Sequence, residues 1–331
     1  MGSSSTPQTN SAKPAPAADP SPTADAQLMA HFLAKPGFLL ARIDQICTAI
    51  FSAQSDGETL AQAEFLMLLD ALGPVPQITL ARAAGVDKST TAYVIDNLSA
   101  RGWVERKPCS DDRRRSLVSV AQEGAARLNR VKADYAALQV QLEAAIDPAD
   151  RPALIAMLHR LGSNPESPAP PWSAAADPAD GTLDTALSFL MRRALQHFQA
   201  HFLACTAALN LTLRQFSLLF VLSQRDSVTQ TSFARMFGID PSTCAVIMRG
   251  LATRGLIISA PSPLDGRERV YRIAARGKPI LMEALSLADQ SEKLVFSGEA
   301  AEKLPWLVEQ LRAVVKAQSS ILRFPGAISS L

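Results

Sequence analysis

Two segments of the chain repeat each other nearly residue for residue. Gly85-Val86-Asp87-Lys88-Ser89-Thr90, running on to Leu98, Arg101-Gly102 and Asp112-Arg113-Arg114, is matched by Gly238-Ile239-Asp240-Pro241-Ser242-Thr243, running on to Leu251, Arg254-Gly255 and Asp265-Gly266-Arg267. The register holds without insertion from Ala81-Arg82 against Ala234-Arg235 to Gly124 against Gly277. A period of about 150 residues is far longer than a solenoid unit and matches a whole domain, so the chain is expected to fold as two copies of one domain. With 331 residues and 47% hydrophobic content it has enough apolar side chains for two cores.

The net charge is only +2, so affinity for nucleic acid has to come from local placement of cations rather than from a basic chain as a whole. Four cysteines, Cys47, Cys109, Cys205 and Cys244, are far apart, with no C-x-x-C pair. That spacing argues against a disulfide scaffold and a zinc ribbon and fits a reducing cytoplasm. Met1 to about Asp25 is Ser, Pro, Ala and Thr with almost no large apolar side chain, a composition expected to stay disordered. Met1-Gly2-Ser3-Ser4-Ser5-Thr6 fits the myristoylation pattern, but a Ser-rich leader produces such a match cheaply. Neither a signal peptide nor an apolar run of membrane-spanning length is legible, and the expected location is cytoplasmic.

After the tail, Phe32 to Phe51 has helical apolar periodicity following the Pro36-Gly37 interruption. Gln62 to Leu72 is a second helix, stopped by Gly73-Pro74-Val75-Pro76, and Gln77 to Ala84 a short third one ended by Gly85. Asp87 stands where an N-cap belongs, able to accept from the backbone N–H of Ser89 or Thr90, and Asp240 is followed by Pro241, favoured at the first helical position. That fourth helix carries Val94, Ile95 and Leu98 toward a core and ends at Arg101-Gly102. Trp103 to Lys107 and Leu117 to Val120 read as the strands of a hairpin with a charged tip. Gly124 to Ala145 is a long helix, Pro148 opens another, Gly162 to Gly181 is a Pro- and Ala-rich linker, and the plan restarts at Leu183.

Two short helices joined at a glycine, followed by a hairpin tipped with Arg113-Arg114-Arg115, form a winged helix-turn-helix arrangement. The second helix suits the major groove, and the tip can carry arginine to a narrow minor groove. Taken together, the D-x-S-T helix start, the L-x-x-R-G helix end, the D-x-R wing and the strand leading into a long helix resemble the multiple antibiotic resistance regulator (MarR) family of bacterial transcription regulators. The resemblance covers each half from first helix to last. Family members are usually homodimers held by their terminal helices, so it implies a covalently joined pseudo-dimer, mainly α with small β-hairpins. The expected layout is a tail over 1–25, domains over 26–162 and 182–331, and a linker over 163–181. Further self-association of the intact chain stays open.

The resemblance implies double-stranded DNA as partner, contacted by Lys88, Ser89, Thr90, Thr91 and Arg114 in the first copy and Ser242, Thr243 and Arg267 in the second. Tyr93, Arg113, Arg115, Arg249 and Arg269 lie on the same helices and wings and join them as candidates, while Asp112 and Asp265 are spaced to orient the wings. Where family recognition helices often carry Thr and Arg in the second turn, this chain has Ala92-Tyr93 and Ala245-Val246, which leaves fewer bidentate base contacts.

The resemblance further implies a small, often aromatic acid effector lodged between the dimerisation helices and the DNA-binding part. First-helix cations are natural carboxylate partners, so Arg42, Arg193 and the neighbouring His197 are candidates. Their alternative role is structural, as arginines solvating or packing along an amphipathic helix. His197 and His201 lie one turn apart, a metal-compatible spacing without a third ligand nearby, so no metal and no cofactor is expected. Cys47, a candidate redox sensor, falls on an apolar helical stripe where thiols are usually inert. No catalytic motif is present, and the chain is read as a regulator rather than an enzyme. The expected function is ligand-responsive repression. Two alternatives remain: a second copy serving as a built-in dimerisation partner without DNA contact, and a cysteine-based redox regulator.

Overall fold

The computed structural model describes residues 22–108, 116–262 and 268–322. The first half runs α1 (Pro22–Leu33), α2 (Pro36–Gln54), α3 (Leu60–Leu72), β1 (Val75–Pro76), α4 (Gln77–Ala84), α5 (Lys88–Ala100), β2 (Val104–Pro108), β3 (Ser116–Val120), α6 (Gln122–Glu143) and α7 (Arg151–Gly162). The second runs α8 (Leu187–Cys205), α9 (Leu213–Gln224), β4 (Val228–Thr229), α10 (Gln230–Phe237), α11 (Pro241–Thr253), β5 (Ile257–Pro261), β6 (Arg269–Ile273), α12 (Gly277–Val295), α13 (Glu299–Glu302) and α14 (Leu304–Gln318). From α2 onward the halves follow one plan. Helix α1 starts at Pro22, inside the stretch whose composition reads as a tail.

Local chemistry sets the helix starts in both copies. Thr59 and Gln62 form a reciprocal capping box at α3, and Thr212 and Gln215 do the same at α9. Asp87 accepts the Thr90 N–H at 2.9 Å and Asp240 the Thr243 N–H at 2.9 Å, opening α5 and α11. Asp87→Ala is expected to cost about 0.5–2 kcal/mol of stability, measured by urea unfolding. Gly85 and Gly238, at φ 61° and 59°, turn the chain between the two short helices, in left-handed backbone that suits glycine.

Each hairpin is a three-stranded sheet, with orders β1-β3-β2 and β4-β6-β5. The two long strands pair from Val104 opposite Val120 to Pro108 opposite Ser116. The third strand corrects the sequence reading, which treated Gly73 to Pro76 only as a helix stop: Val75 pairs with Val118 and Pro76 with Leu117. Two residues are too few to show a period, and a proline is tolerated on an edge strand because its missing N–H would face away from the sheet.

The halves are interlocked. Helix α7, the last of the first half, packs on α8, the first of the second, and α14 packs in the same way on α2. Helices α2 and α8 pack on each other, and Gly37 lies against the Phe198 ring where a Cβ would collide with it. Ile43, Ile46, Phe189, Leu190, Leu307 and Leu311 are buried in one continuous core drawn from both halves. Each such side chain contributes about 1.5–3 kcal/mol by leaving water, so this seam is a folded core rather than a contact between finished domains. Among the described residues no helix is long and apolar enough to cross a membrane.

Candidate nucleic-acid interface

Helix α5 turns Lys88, Ser89, Thr90, Tyr93 and Asp96 outward, Tyr93 being 71% exposed. Thr91 is different: it is fully buried and its hydroxyl donates back to the Asp87 carbonyl at 2.8 Å, so it faces the core and not the outer face. The Asp87 carboxylate receives the Ser89 and Thr90 hydroxyls as well as the Thr90 N–H, and the hydrogen bond from Ser89, followed by those from Thr90, holds its pKa well below the usual carboxylate range. A hydroxyl has one proton to give. With both committed to the cap, Lys88 and Tyr93 are the candidates on α5 best placed to donate outward.

Helix α11 repeats the cap, with Ser242 and Thr243 on Asp240, but shows a different outer face. Pro241 stands at the register of Lys88, Val246, 65% exposed, at that of Tyr93, and exposed Arg249 at that of Asp96. Asp96 is itself paired with Arg106 of β2 at 2.6 Å, and Arg269 of β6 donates to Ser259 of β5 at 2.7 Å. The wing tips, with Asp112, Arg113, Arg114, Arg115, Asp265 and Arg267, lie outside the described residues. At the base of the first wing, Trp103 is faced by the guanidinium groups of Arg101 and Arg127, 4.8 and 4.7 Å from the ring centroid. Arg127 is paired in turn with Glu58 and Asp56.

Behind each helix-turn-helix stands an arginine from the opposite half. Arg193 of α8 donates through Nη1 to the carbonyl of Gly85 at 2.7 Å and to Gln196 at 2.6 Å. Its Nη2 donates to the carbonyls of Gly162 and Pro170 and lies 2.9 Å from His197 Nε2. Arg42 of α2 holds the mirror position, with Nη1 donating to the carbonyl of Phe237 at 3.1 Å and to Gln45 at 3.0 Å. A Cβ added to Gly85 or Gly238 would run into Arg193 or Arg42, a second reason for glycine at both turns. The two arginines are 2% and 1% exposed, and burial pulls both down to about 10, which leaves them charged at neutral pH.

Arg42 also lines a cavity of about 400 Å³ enclosed by α1, α2, α8, α9, α10 and α12. Its wall is aromatic: Phe198 and Phe202, Phe216 and Phe220, and Phe233 and Phe237 come as pairs four residues apart on three helices. Helix α1 closes one side, with His31 stacked on Phe220 at 4.5 Å and Phe32 edge-on to Phe237 at 4.9 Å. Lys35 and Arg214 add cations near its rim, balanced in part by Asp44, Asp289 and Glu292. Of the three candidates for effector contact, then, Arg42 reaches this cavity, Arg193 is enclosed among carbonyls, and His197 faces a separate depression of about 440 Å³ with His201 and Arg160. The paired phenylalanines are the signal that charge-based reading of the sequence passed over. Cys47 is 1% exposed, and its thiol is pushed far up, first by burial and then by Asp44 and Glu64, which opposes the thiolate that redox sensing needs.

A model of the MarR family matches residues 59–116 and again 211–268, the two stretches that build the helix-turn-helix and its wing. The HTH-type transcriptional repressor NicR of Pseudomonas putida is 36% identical over 95 residues, covering 28% of this chain and 60% of that protein, so the match leaves part of the relative unspanned. A probable transcriptional regulator from Pseudomonas aeruginosa, known from its crystal structure, is 32% identical over 38% of this chain and 96% of its own, with a TM-score of 0.37. The transcriptional repressor CouR, solved bound to a 23-mer DNA duplex, is 27% identical over 40% of this chain and 95% of its own, with a TM-score of 0.39. The doubled wing and helix-turn-helix, matched twice by one family model, make this chain a member of the MarR family of DNA-binding transcription regulators, with two of its winged helix units in tandem.

Proposed function

We propose that the chain is a ligand-released repressor that grips an operator with two unequal half-sites about one helical turn apart, using one winged helix from each of the units 26–162 and 182–331. The observation that carries the reading is Arg42, which lines the aromatic cavity and at the same time holds the carbonyl of Phe237, the residue that leads into the turn before α11. A small aromatic acid fits that surrounding: its ring among the phenylalanines, its carboxylate drawn to Arg42, Lys35 or Arg214. Competition for the Arg42 guanidinium would free the turn and change how α11 is presented. The effect on DNA affinity is bounded by the ligand's differential affinity for the two arrangements.

Unequal half-sites follow from unequal faces, Lys88, Tyr93 and Asp96 on one helix against Pro241, Val246 and Arg249 on the other. In gel-shift titrations, Lys88→Ala is expected to weaken binding evenly across sequences and to lower the salt slope by about 1. Arg114→Ala and Arg267→Ala, made separately, are each expected to weaken binding. A silent Arg267→Ala would instead favour the second reading, in which the second unit is a built-in dimerisation partner, a reading supported by the apolar Pro241 and Val246 on α11. A footprint with perfect twofold symmetry would count against two different reading heads in one chain.

A further inference from the structure

We propose that the chain holds one effector per polypeptide, in the cavity of the second unit, and that its pseudo-equivalent in the first unit is permanently filled by the chain's own side chains. The proposal rests on the effector reading above and concerns its count and its reach. The repeat places Arg42 on Arg193, Thr59 on Thr212 and Gly85 on Gly238, so each position that α2 and the second unit's helices contribute to the cavity has a named counterpart.

Four small residues leave room for that cavity: Gly37 and Ala41 of α2, Ser217 of α9 and Ala288 of α12. Their counterparts are Ser188 and Arg192 of α8, Glu64 of α3 and Tyr135 of α6, every one larger and polar. These four meet one another. Arg192 Nη2 is 2.6 Å from Glu64 Oε2, the Tyr135 hydroxyl donates to Glu64 Oε1 at 3.5 Å, and the Ser188 hydroxyl donates to Tyr135 at 3.1 Å. Gln139 closes the chain of contacts, donating to Ser188 Oγ at 2.8 Å and accepting its N–H at 3.2 Å. Glu64, Tyr135 and Ser188 are all buried. A buried carboxylate paired in this way cannot be displaced cheaply by a ligand, because its partner charge would be left without compensation.

The linker adds a second occupant on the same side. Trp172 packs 5.2 Å from Phe189, the counterpart of cavity-lining Phe38, and lies under the Arg193 guanidinium. Pro170 accepts from Arg193, and the Ser173 N–H donates to Arg82 of α4 at 3.0 Å. Arg193 is therefore held by the carbonyls of Gly85, Gly162 and Pro170 beneath Trp172, and Arg42, which holds the carbonyl of Phe237, borders a cavity a ligand can enter. Ligand then acts on one reading head: α11 loosens and α5 stays fixed.

The test uses the full chain and 4-bromobenzoate. Crystals soaked in it are expected to show one bromine by anomalous scattering, among the paired phenylalanines, and equilibrium dialysis to give one equivalent bound per chain. Ala41→Trp should abolish that uptake. Glu64→Ser/Tyr135→Ala/Ser188→Gly/Arg192→Ala combined with Trp172→Ala, which gives the first unit the second unit's small residues and removes the linker's ring, should raise the count to two. In footprinting, 4-bromobenzoate should remove protection from one half-site only and should have no further effect on Arg249→Ala/Arg267→Ala. Bromine in both units of the unaltered protein, or two equivalents bound, overturns the single-site inference and leaves the effector reading standing. One bromine with unchanged DNA affinity sinks the effector reading and leaves the count intact. No bromine in the second-unit cavity overturns the proposal.

Discussion

Arg193→Ala is expected to destabilise the protein by about 3–5 kcal/mol, read as a fall in the free energy of urea unfolding. The guanidinium is 1% exposed and donates to three carbonyls, those of Gly85, Gly162 and Pro170, and the first two would remain buried with a partner missing. The loss falls at a junction: Gly85 belongs to the first helix-turn-helix, Gly162 ends α7, and Pro170 lies in the linker. Arg193→Lys keeps the charge but replaces a planar fork with a single ammonium, and should recover only part of the difference. A variant as stable as the parent would mean that these carbonyls find water, and that the latch between the halves is not an energetic one.

Acidification should produce a second large effect, centred on His197. Burial, then the neighbouring Arg193, pushes its pKa down to about 4 from the ordinary 6.5. The neutral ring accepts from Arg193 Nη2 through Nε2, a contact that a proton on Nε2 would turn into repulsion between two cations. The unfolded chain then binds more protons than the folded one between these two values, so stability is fully present above about 6.5 and falls as the pH drops toward 4. The loss is on the order of 2–3 kcal/mol. His31 and His201 are also lowered by burial and act with the same sign, so the slope is assigned by comparison. His197→Gln, whose amide oxygen can still accept from Arg193, should flatten the profile over that range; an unaltered slope would assign the acid sensitivity to another group.

What the sequence discloses in this chain is whatever depends on neighbours. The Asp87 and Asp240 caps, the glycine turns and the long hairpin strands are all set by residues within a few positions, and each stands where the spacing put it. Long-range partners are a different matter. Nothing within α2 or α8 reveals that Arg42 and Arg193 end on carbonyls of the opposite half. Thr91 reads as a polar recognition residue until the helix is wound and its side chain lands on the buried face. The paired phenylalanines of the second half were visible all along, but only the folded chain shows three helices turning them toward one space. The network through Glu64, Tyr135, Ser188 and Arg192 draws on three helices from both halves and leaves no trace in any one of them.

The exchange of end helices, α7 onto α8 and α14 onto α2, has a consequence for dosage. In a two-chain regulator such an exchange is an equilibrium, and at a few copies per cell part of the population is monomeric. Here the tether replaces that bimolecular step with an intramolecular one, so dilution leaves the assembled form intact. Unfolding midpoints should accordingly be the same at nanomolar and micromolar protein.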